Sequence, residues 1–324
     1  MDAETGAILA LQILALCSIV AALLAYLMRQ SRNANDEYET RTKRHVLVTS
    51  CDTSLGLQIA LALYEAGYKI VRVVVQVFVG LLDPCGNSPS MKILRAIEQQ
   101  KEREEDPVER KPQDPEARAR GQIVPLELDS TREDSLRACL DAVRAKLPAG
   151  EDGLWAIVYT GGLALPGAIE RQSSSAWESM LRHNLVAPLR TVRMFIPLLR
   201  VKRGRIIFLG DSTTSYGSKS GTGLVAYSAS RKAVEGAAEA LKSELQSSGV
   251  DVVLLRPPPV NPLVLYNSPV LKTSDVESGI VSSEGTWTAP VSTNAIQNSL
   301  IPALTSPCPH ISYDMVAKTR LFCR

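Results

Sequence analysis

The hydrophobic positions of this chain follow two periods. His45-Val46-Leu47-Val48-Thr49-Ser50 is a short, β-branched apolar run entered from a charged segment, the pattern of a buried strand. Cys51 to Gly56 then turns the chain, and Leu57 to Ala66 carries apolar residues at helical spacing up to Gly67, a C-cap signal. A strand, a tight turn and a helix in that order present backbone amides and a helix N-terminus to a phosphate. Tyr68 to Leu82 is less regular. Lys69 to Gly80 reads as a strand about twice the usual five or six residues, and Arg72 would need a partner inside a covered sheet. Joining Lys69 to Val77 restores an ordinary strand, so Ile70 to Gln76 behaves as an insert. Further along, Ala226 to Gly236 opens a long Ala-rich run with helical spacing.

Two segments stand apart from this pattern. Gly6 to Met28 is 23 residues without a charge, about 34 Å as a helix and enough for a bilayer core of roughly 30 Å. Asp2 and Glu4 precede it, and Arg29, Arg32, Arg41, Lys43 and Arg44 follow it. A cleaved signal peptide would carry a basic leader and a shorter apolar stretch. The expectation is a transmembrane anchor over 6–28, a short luminal N-terminus over 1–5 and a basic linker over 29–44, with the remaining chain cytosolic, as on the endoplasmic reticulum. Glu98 to Arg120 is dense in both charge signs and holds Pro107, Pro112 and Pro115. It reads as a helix end running into a charged surface insertion over 98–120.

Charge and cysteine usage narrow the classes. A net charge of +2 over 324 residues gives nucleic acid no electrostatic footprint. The six cysteines show neither Cys-x-x-Cys nor metal-ligand spacing, so reduced thiols and no metal are expected.

The chemistry concentrates in Ala226-Tyr227-Ser228-Ala229-Ser230-Arg231. Residues i and i+4 share a helix face, so Tyr227 has a fixed positive charge beside it. That charge favours phenolate and suits the tyrosine to proton transfer in carbonyl–alcohol chemistry. An ordinary amphipathic helix with a surface Tyr and Arg is the bland alternative.

This segment resembles the Tyr-x-x-x-Lys signature of the short-chain dehydrogenase/reductases, with Arg231 at the lysine position. In that family the turn reads Thr-Gly-x-x-x-Gly-x-Gly. Here it reads Thr49-Ser50-Cys51-Asp52-Thr53-Ser54-Leu55-Gly56, so only the last glycine is kept. The resemblance implies cofactor contacts from Thr49, Ser50, Ser54, Leu55 and Gly56. It implies further contacts from Asp83 near the second strand end, Asp129 near the third, Gly161 after the fourth, Arg231, and Pro257 after the sixth. Asp129 also reads as an N-cap for a helix over Glu133 to Leu147. Tyr159 and Thr160 stand where the family has two asparagines, and Asn184 falls on its catalytic asparagine. The family's serine maps to Asp211 when counted from Gly204, and to Thr214 or Ser215 when counted back from Tyr227; Ser212, beside the strand end, is the preferred candidate.

The resemblance implies a single Rossmann-like, doubly wound parallel α/β sheet over 45–262 behind the N-terminal transmembrane helix, with a substrate lid and C-terminal segment over 263–324. It implies an oxidoreductase using NAD(H) or NADP(H), with Asp83 favouring NAD(H), and it leaves a homodimer open. The closing segment Pro307 to Lys318 resembles that of the retinol and 17β-hydroxysteroid dehydrogenase group, whose divergent members include insect proteins. A lipophilic alcohol or carbonyl such as a steroid or retinoid is then the expected substrate, with Leu263 to Ser306 as a mobile apolar cover. The rival is a non-catalytic binding or scaffold protein, to which the lost glycines, Arg231 and the uncertain serine all point.

Overall fold

The computed structural model describes residues 44–71, 75–105, 122–148, 153–211, 223–271 and 287–316, together with Val20 and Leu23. Seven parallel strands form one sheet in the order β3-β2-β1-β4-β5-β6-β7. They are β1 (Arg44–Val48), β2 (Val75–Leu81), β3 (Gln122–Glu127), β4 (Ala156–Tyr159), β5 (Arg205–Leu209), β6 (Asp251–Arg256) and β7 (Ser312–Asp314). The helices between them are α1 (Ser54–Val71), α2 (Pro89–Glu105), α3 (Glu133–Lys146), α4 (Ser174–Leu181), α5 (Ala187–Lys202), α6 (Val225–Leu245), α7 (Pro262–Tyr266) and α8 (Thr293–Thr305).

Strand alternation divides the core. Val46 and Val48 pack on one face with Val77, Met91 of α2 and Ile296 of α8, while Leu47 packs on the other with Phe78, Leu136 of α3, Phe195 of α5 and Val234 of α6. Both faces are covered, so the strands read as continuous apolar runs. Strand β1 lies between β2 and β4, with Val46 level with Val77 on one side and Ala156 on the other. The chain order reverses there. The crevice beyond the carboxyl ends of β1 and β4 is therefore where such a sheet receives ligands.

Several expectations change. Helix α1 passes through Gly67 to Val71, and β2 begins at Val75. The overlong apolar run is thus shared between a helix end and a seven-residue strand, which accounts for the apparent insert; Arg72 lies outside the described residues. Of the expected cover over Leu263 to Ser306, residues 272–286 lie outside the described residues, and its last part is not a cover. Helix α8 is a core helix: Ala295, Ile296, Ser299, Leu300, Ala303 and Leu304 are buried at helical spacing, and α8 packs on α1. Among the described residues no helix is long and apolar enough to cross a membrane. The span expected over 6–28 lies outside them, apart from Val20 and Leu23, and so do the 106–120 part of the charged insertion and the tail from 317.

Buried Arg205 fastens α8 to the sheet. Its guanidinium donates to the carbonyl of Ala303 (2.7 Å) and to that of Ser306, and its Nε lies 3.7 Å from Asp251. These carbonyls end α8, where a cation satisfies unpaired acceptors and the helix dipole together. Arg205→Ala leaves them buried without donors. We expect urea unfolding to show a loss of about 2–4 kcal/mol, the range for a broken buried network; a change below about 0.5 kcal/mol would contradict this role.

Candidate dinucleotide and proton-transfer site

The turn after β1 is built by its own side chains. The Thr49 amide donates to the Val158 carbonyl (3.1 Å), and Thr49 Oγ1 accepts from the Thr160 amide (3.1 Å). The Thr160 hydroxyl in turn donates to the Thr49 carbonyl. Thr49 is thus a pin between β1 and β4. The Thr53 hydroxyl donates to the Ser50 carbonyl (2.8 Å) and accepts from the Gly56 amide (3.1 Å). Gly56 fits because a Cβ there would stand 2.4 Å from the Ser50 carbonyl oxygen. Leu55 points into the hydrophobic core and is fully buried.

Ser50 occupies the family's first glycine position with φ +50°, in the left-handed region that a side chain disfavours. Its hydroxyl lies 2.6 Å from where a Cβ on Gly161 would stand. The serine is accommodated because Gly161 opposite has no side chain.

The aspartates expected near the adenosine serve their own turns. Asp83 is exposed, and its carboxylate accepts from the amides of Cys85 (3.1 Å) and Gly86 (2.8 Å). Asp52, which was not expected there, accepts from the Leu82 amide (2.6 Å) and so ties the turn after β1 to the end of β2; burial raises its pKa, and Asp83 adds to the rise. Asp129 accepts from the amide (2.9 Å) and hydroxyl (2.6 Å) of Thr131. It does not cap α3, whose N-cap residue is Arg132, and the Arg132 side chain makes no capping bond.

Asn184 lies in a π-helical turn, Arg182–Val186, between α4 and α5. Its amide group accepts from the Leu163 amide (2.7 Å) and donates to the Leu163 carbonyl (2.9 Å) and the Ser230 hydroxyl (2.8 Å). This fixes the loop after β4 against α6. Tyr159, in an asparagine position, is buried, and burial pushes its phenol well above the ordinary range.

Tyr227 and Arg231 are both buried on α6. Arg231 Nη2 donates to the Gly161 carbonyl (3.0 Å), and its Cζ lies 5.7 Å from the Tyr227 ring centroid. Among the described residues Arg231 Nε has no hydrogen-bond partner. Burial works to lower the pKa of this guanidinium, but the phenols of Tyr266, Tyr227 and Tyr159 outweigh it, and the net direction is upward. Pro257 is buried directly after β6. Asp211, the first alternative for the family's serine, is buried; its carboxylate accepts from the Ser228 hydroxyl (2.6 Å) and its amide donates to Glu235 (3.2 Å). Ser212, Thr214 and Ser215 lie outside the described residues.

Two residues were not singled out from the sequence. The Tyr266 hydroxyl is 3.2 Å from that of Tyr227, and its ring centroid is 4.7 Å from Arg231 Cζ. Burial raises its phenol well above the ordinary value, against the pull of Arg231. The Asn267 carbonyl accepts from both the amide (2.8 Å) and the hydroxyl (2.9 Å) of Ser54 at the start of α1. Asn261 followed by Pro262 was the available signal: an N-cap and a proline at the first helical position, and the Asn261 side chain does accept from the Leu263 amide (3.0 Å).

The family model described as short chain dehydrogenase matches residues 99–268. The chain belongs to the short chain dehydrogenase family. Rat mitochondrial D-beta-hydroxybutyrate dehydrogenase is 22% identical over 226 residues, covering 70% of this chain and 57% of that protein. The 3beta-hydroxysteroid dehydrogenase dhs-16 of Caenorhabditis elegans is 25% identical over 221 residues, covering 68% and 50%. Human short-chain dehydrogenase/reductase family 9C member 7 is 30% identical over 131 residues, 40% of each chain. This chain therefore spans little more than half the length of the curated relatives it matches. A crystal structure of a short-chain dehydrogenase from Streptomyces avermitilis shares the fold, with TM-score 0.57 at 17% identity, covering 85% of this chain and 88% of that one.

Members of this dehydrogenase family use a nicotinamide dinucleotide, and the donor set here fits one. It comprises a helix N-terminus with the Ser54 amide and hydroxyl, two glycines after β4 with no room for a Cβ, and a buried guanidinium with a spare N–H. In this structure the Asn267 carbonyl takes the Ser54 donors, and the Tyr266 ring lies against Gly162 and Arg231.

The strain at Ser50 gives a direct check. Ser50→Gly relieves the left-handed backbone, and we expect it to raise stability by about 1 kcal/mol in denaturant titration. Destabilisation would mean that the serine hydroxyl contributes more than the backbone loses.

Proposed function

We propose that this short chain dehydrogenase interconverts an alcohol and a carbonyl on a lipophilic substrate, such as a steroid or retinoid, using NAD(H) or NADP(H). The observation that carries this reading is Tyr227 buried one helical turn from Arg231, with apolar residues around it: Leu163, Leu165, Trp177 and Leu263 pack on the cluster that contains the phenol. A phenol in such a setting exchanges a proton with the substrate oxygen, and the apolar surround selects an apolar body. A bound nicotinamide supplies or takes the hydride. Arg231 holds a positive charge beside the phenol throughout, because a guanidinium does not release its proton. Proton return is therefore impaired relative to a lysine, and turnover is slow. The Ser50 to Gly56 turn and α1 would hold the pyrophosphate, with Gly161, Pro257, Asp83 and Asp129 bordering the rest. Ser212 is proposed to orient the substrate oxygen.

One observation favours the second reading, a non-catalytic scaffold. Asp211, at one count for the family's serine, is a buried carboxylate, which would repel a developing oxyanion. Wild-type protein that binds neither dinucleotide would decide for that reading.

The proton-transfer assignment is checked with purified protein, both cofactors and a panel of steroids, retinoids and 3-hydroxybutyrate. Tyr227→Phe should lower kcat by at least about a hundredfold on whichever substrate turns over. Arg231→Lys should preserve or raise it. Full activity in the first variant, or lost activity with intact cofactor binding in the second, would contradict the roles given.

The anchor is part of the same proposal, since an enzyme for lipophilic substrates gains from lying on the membrane. The uncharged stretch over 6–28 with its basic flank supports it. Protease added to intact microsomes should digest residues beyond 45, while alkaline carbonate should leave the chain in the membrane. Protection from protease or release by carbonate would contradict it.

A further inference from the structure

The segment Pro262–Asn267 makes, within one chain, the contacts expected of a dinucleotide. At one end the Asn267 carbonyl, a partial negative charge, accepts two hydrogen bonds from Ser54 at the N-terminus of α1. That is where a phosphate would be received. At the other end the Tyr266 ring lies against Gly162, so closely that a Cβ built there would stand 2.5 Å from Tyr266 Cε1. The same ring faces Arg231, and its hydroxyl meets that of Tyr227. Helix start, glycine turn, cation and proton-transfer phenol are thus engaged together by two consecutive residues.

We propose that Pro262–Asn267 is a self-inhibitory plug that closes the dinucleotide cleft and that the cofactor must displace to bind. The proposal rests on the reading of this cleft as a dinucleotide site. Two of the chain's departures from the family pattern serve the plug directly. Ser54, in place of a glycine, adds the hydroxyl bond to Asn267. Arg231, in place of lysine, offers a flat guanidinium face to the Tyr266 ring, a favourable cation–π arrangement. The segment is also held from within. Asn261 caps it, the Asn267 amide donates to the Leu263 carbonyl (3.0 Å), and Leu265 is fully buried in the main core. Opening therefore exposes Leu265 and frees Tyr227 at the same time. Apparent cofactor affinity falls by the fraction of molecules in the open state.

Hydrogen–deuterium exchange on the full chain, with and without saturating NADH or NADPH, tests the plug without relying on activity. The amides of Val264 and Asn267, bonded within the segment, should exchange at least about tenfold faster when dinucleotide is bound. An ordinary lid that closes over its cofactor gives the opposite sign, so slower or unchanged exchange with dinucleotide bound overturns the proposal. Titration followed by tryptophan fluorescence gives a second arm. Tyr266→Ala should bind dinucleotide about tenfold tighter than wild type, as expected if the open state is a minor population of around a tenth or less. Tyr266→Phe, which removes only the contact with the Tyr227 hydroxyl, should show a smaller shift in the same direction and stands in if the alanine variant fails to fold. Equal or weaker binding in both variants overturns the plug. If wild type and both folded variants bind no dinucleotide at all, the reading of the cleft itself falls, a result distinct from failure of the plug.

Discussion

A guanidinium buried beside the crevice beyond β1 and β4 sets the conditions for the residues around it. Among the described residues no carboxylate lies within ion-pair distance of Arg231, which is only 1% exposed. A charge in that position needs compensation from dipoles and π faces. The Gly161 carbonyl and the rings of Tyr227 and Tyr266 provide it. The first fixes the turn after β4, the second belongs to the same helix, and the third draws the chain after β6 into the crevice. A lysine there would present a compact point charge on a flexible stem. The planar group favours a stacked tyrosine, and Asn267, the next residue, then reaches Ser54 on α1.

The same contacts connect packing with chemistry. The Thr49–Thr160 pair aligns the ends of β1 and β4. Asn184 joins the loop after β4 to α6 through Leu163 and Ser230. These bonds hold Tyr227, Arg231 and the two glycines in one small volume at the point where the sheet's order reverses. That fold is shared with dehydrogenases of low sequence identity, whereas the contents of the crevice are this chain's own.

What was legible in the sequence follows from how local each signal is. A β-branched run such as Val46 to Val48 announces a buried strand, and Tyr227 with Arg231 four residues on announces a shared helix face. The division of the run from Lys69 to Gly80 was hidden, because Ile70 and Val71 are as compatible with a helix end as with a strand. Helix α8 could have been found from the spacing of Ala295, Ile296, Ser299 and Leu300; a Pro- and Ser-rich surround obscured it. Asp83 and Asp129 were placed by register, yet an aspartate at a strand end has a competing use in closing its own turn. Tyr266 and Asn267 were illegible as site residues because the hydroxyl and carbonyl contacts they make lie 39 and 213 residues away in sequence.

In the arrangement we propose, the crevice beyond β1 and β4 takes a dinucleotide only by exchanging it for the chain's own Tyr266 and Asn267. A crystal structure of the chain with NADH or NADPH tests this most directly. The Ser54 amide and Arg231 should then be bonded to the dinucleotide, with the Tyr266 ring off Arg231 and the Asn267 carbonyl away from α1. A dinucleotide bound while the Ser54–Asn267 and Tyr227–Tyr266 contacts remain intact would contradict it.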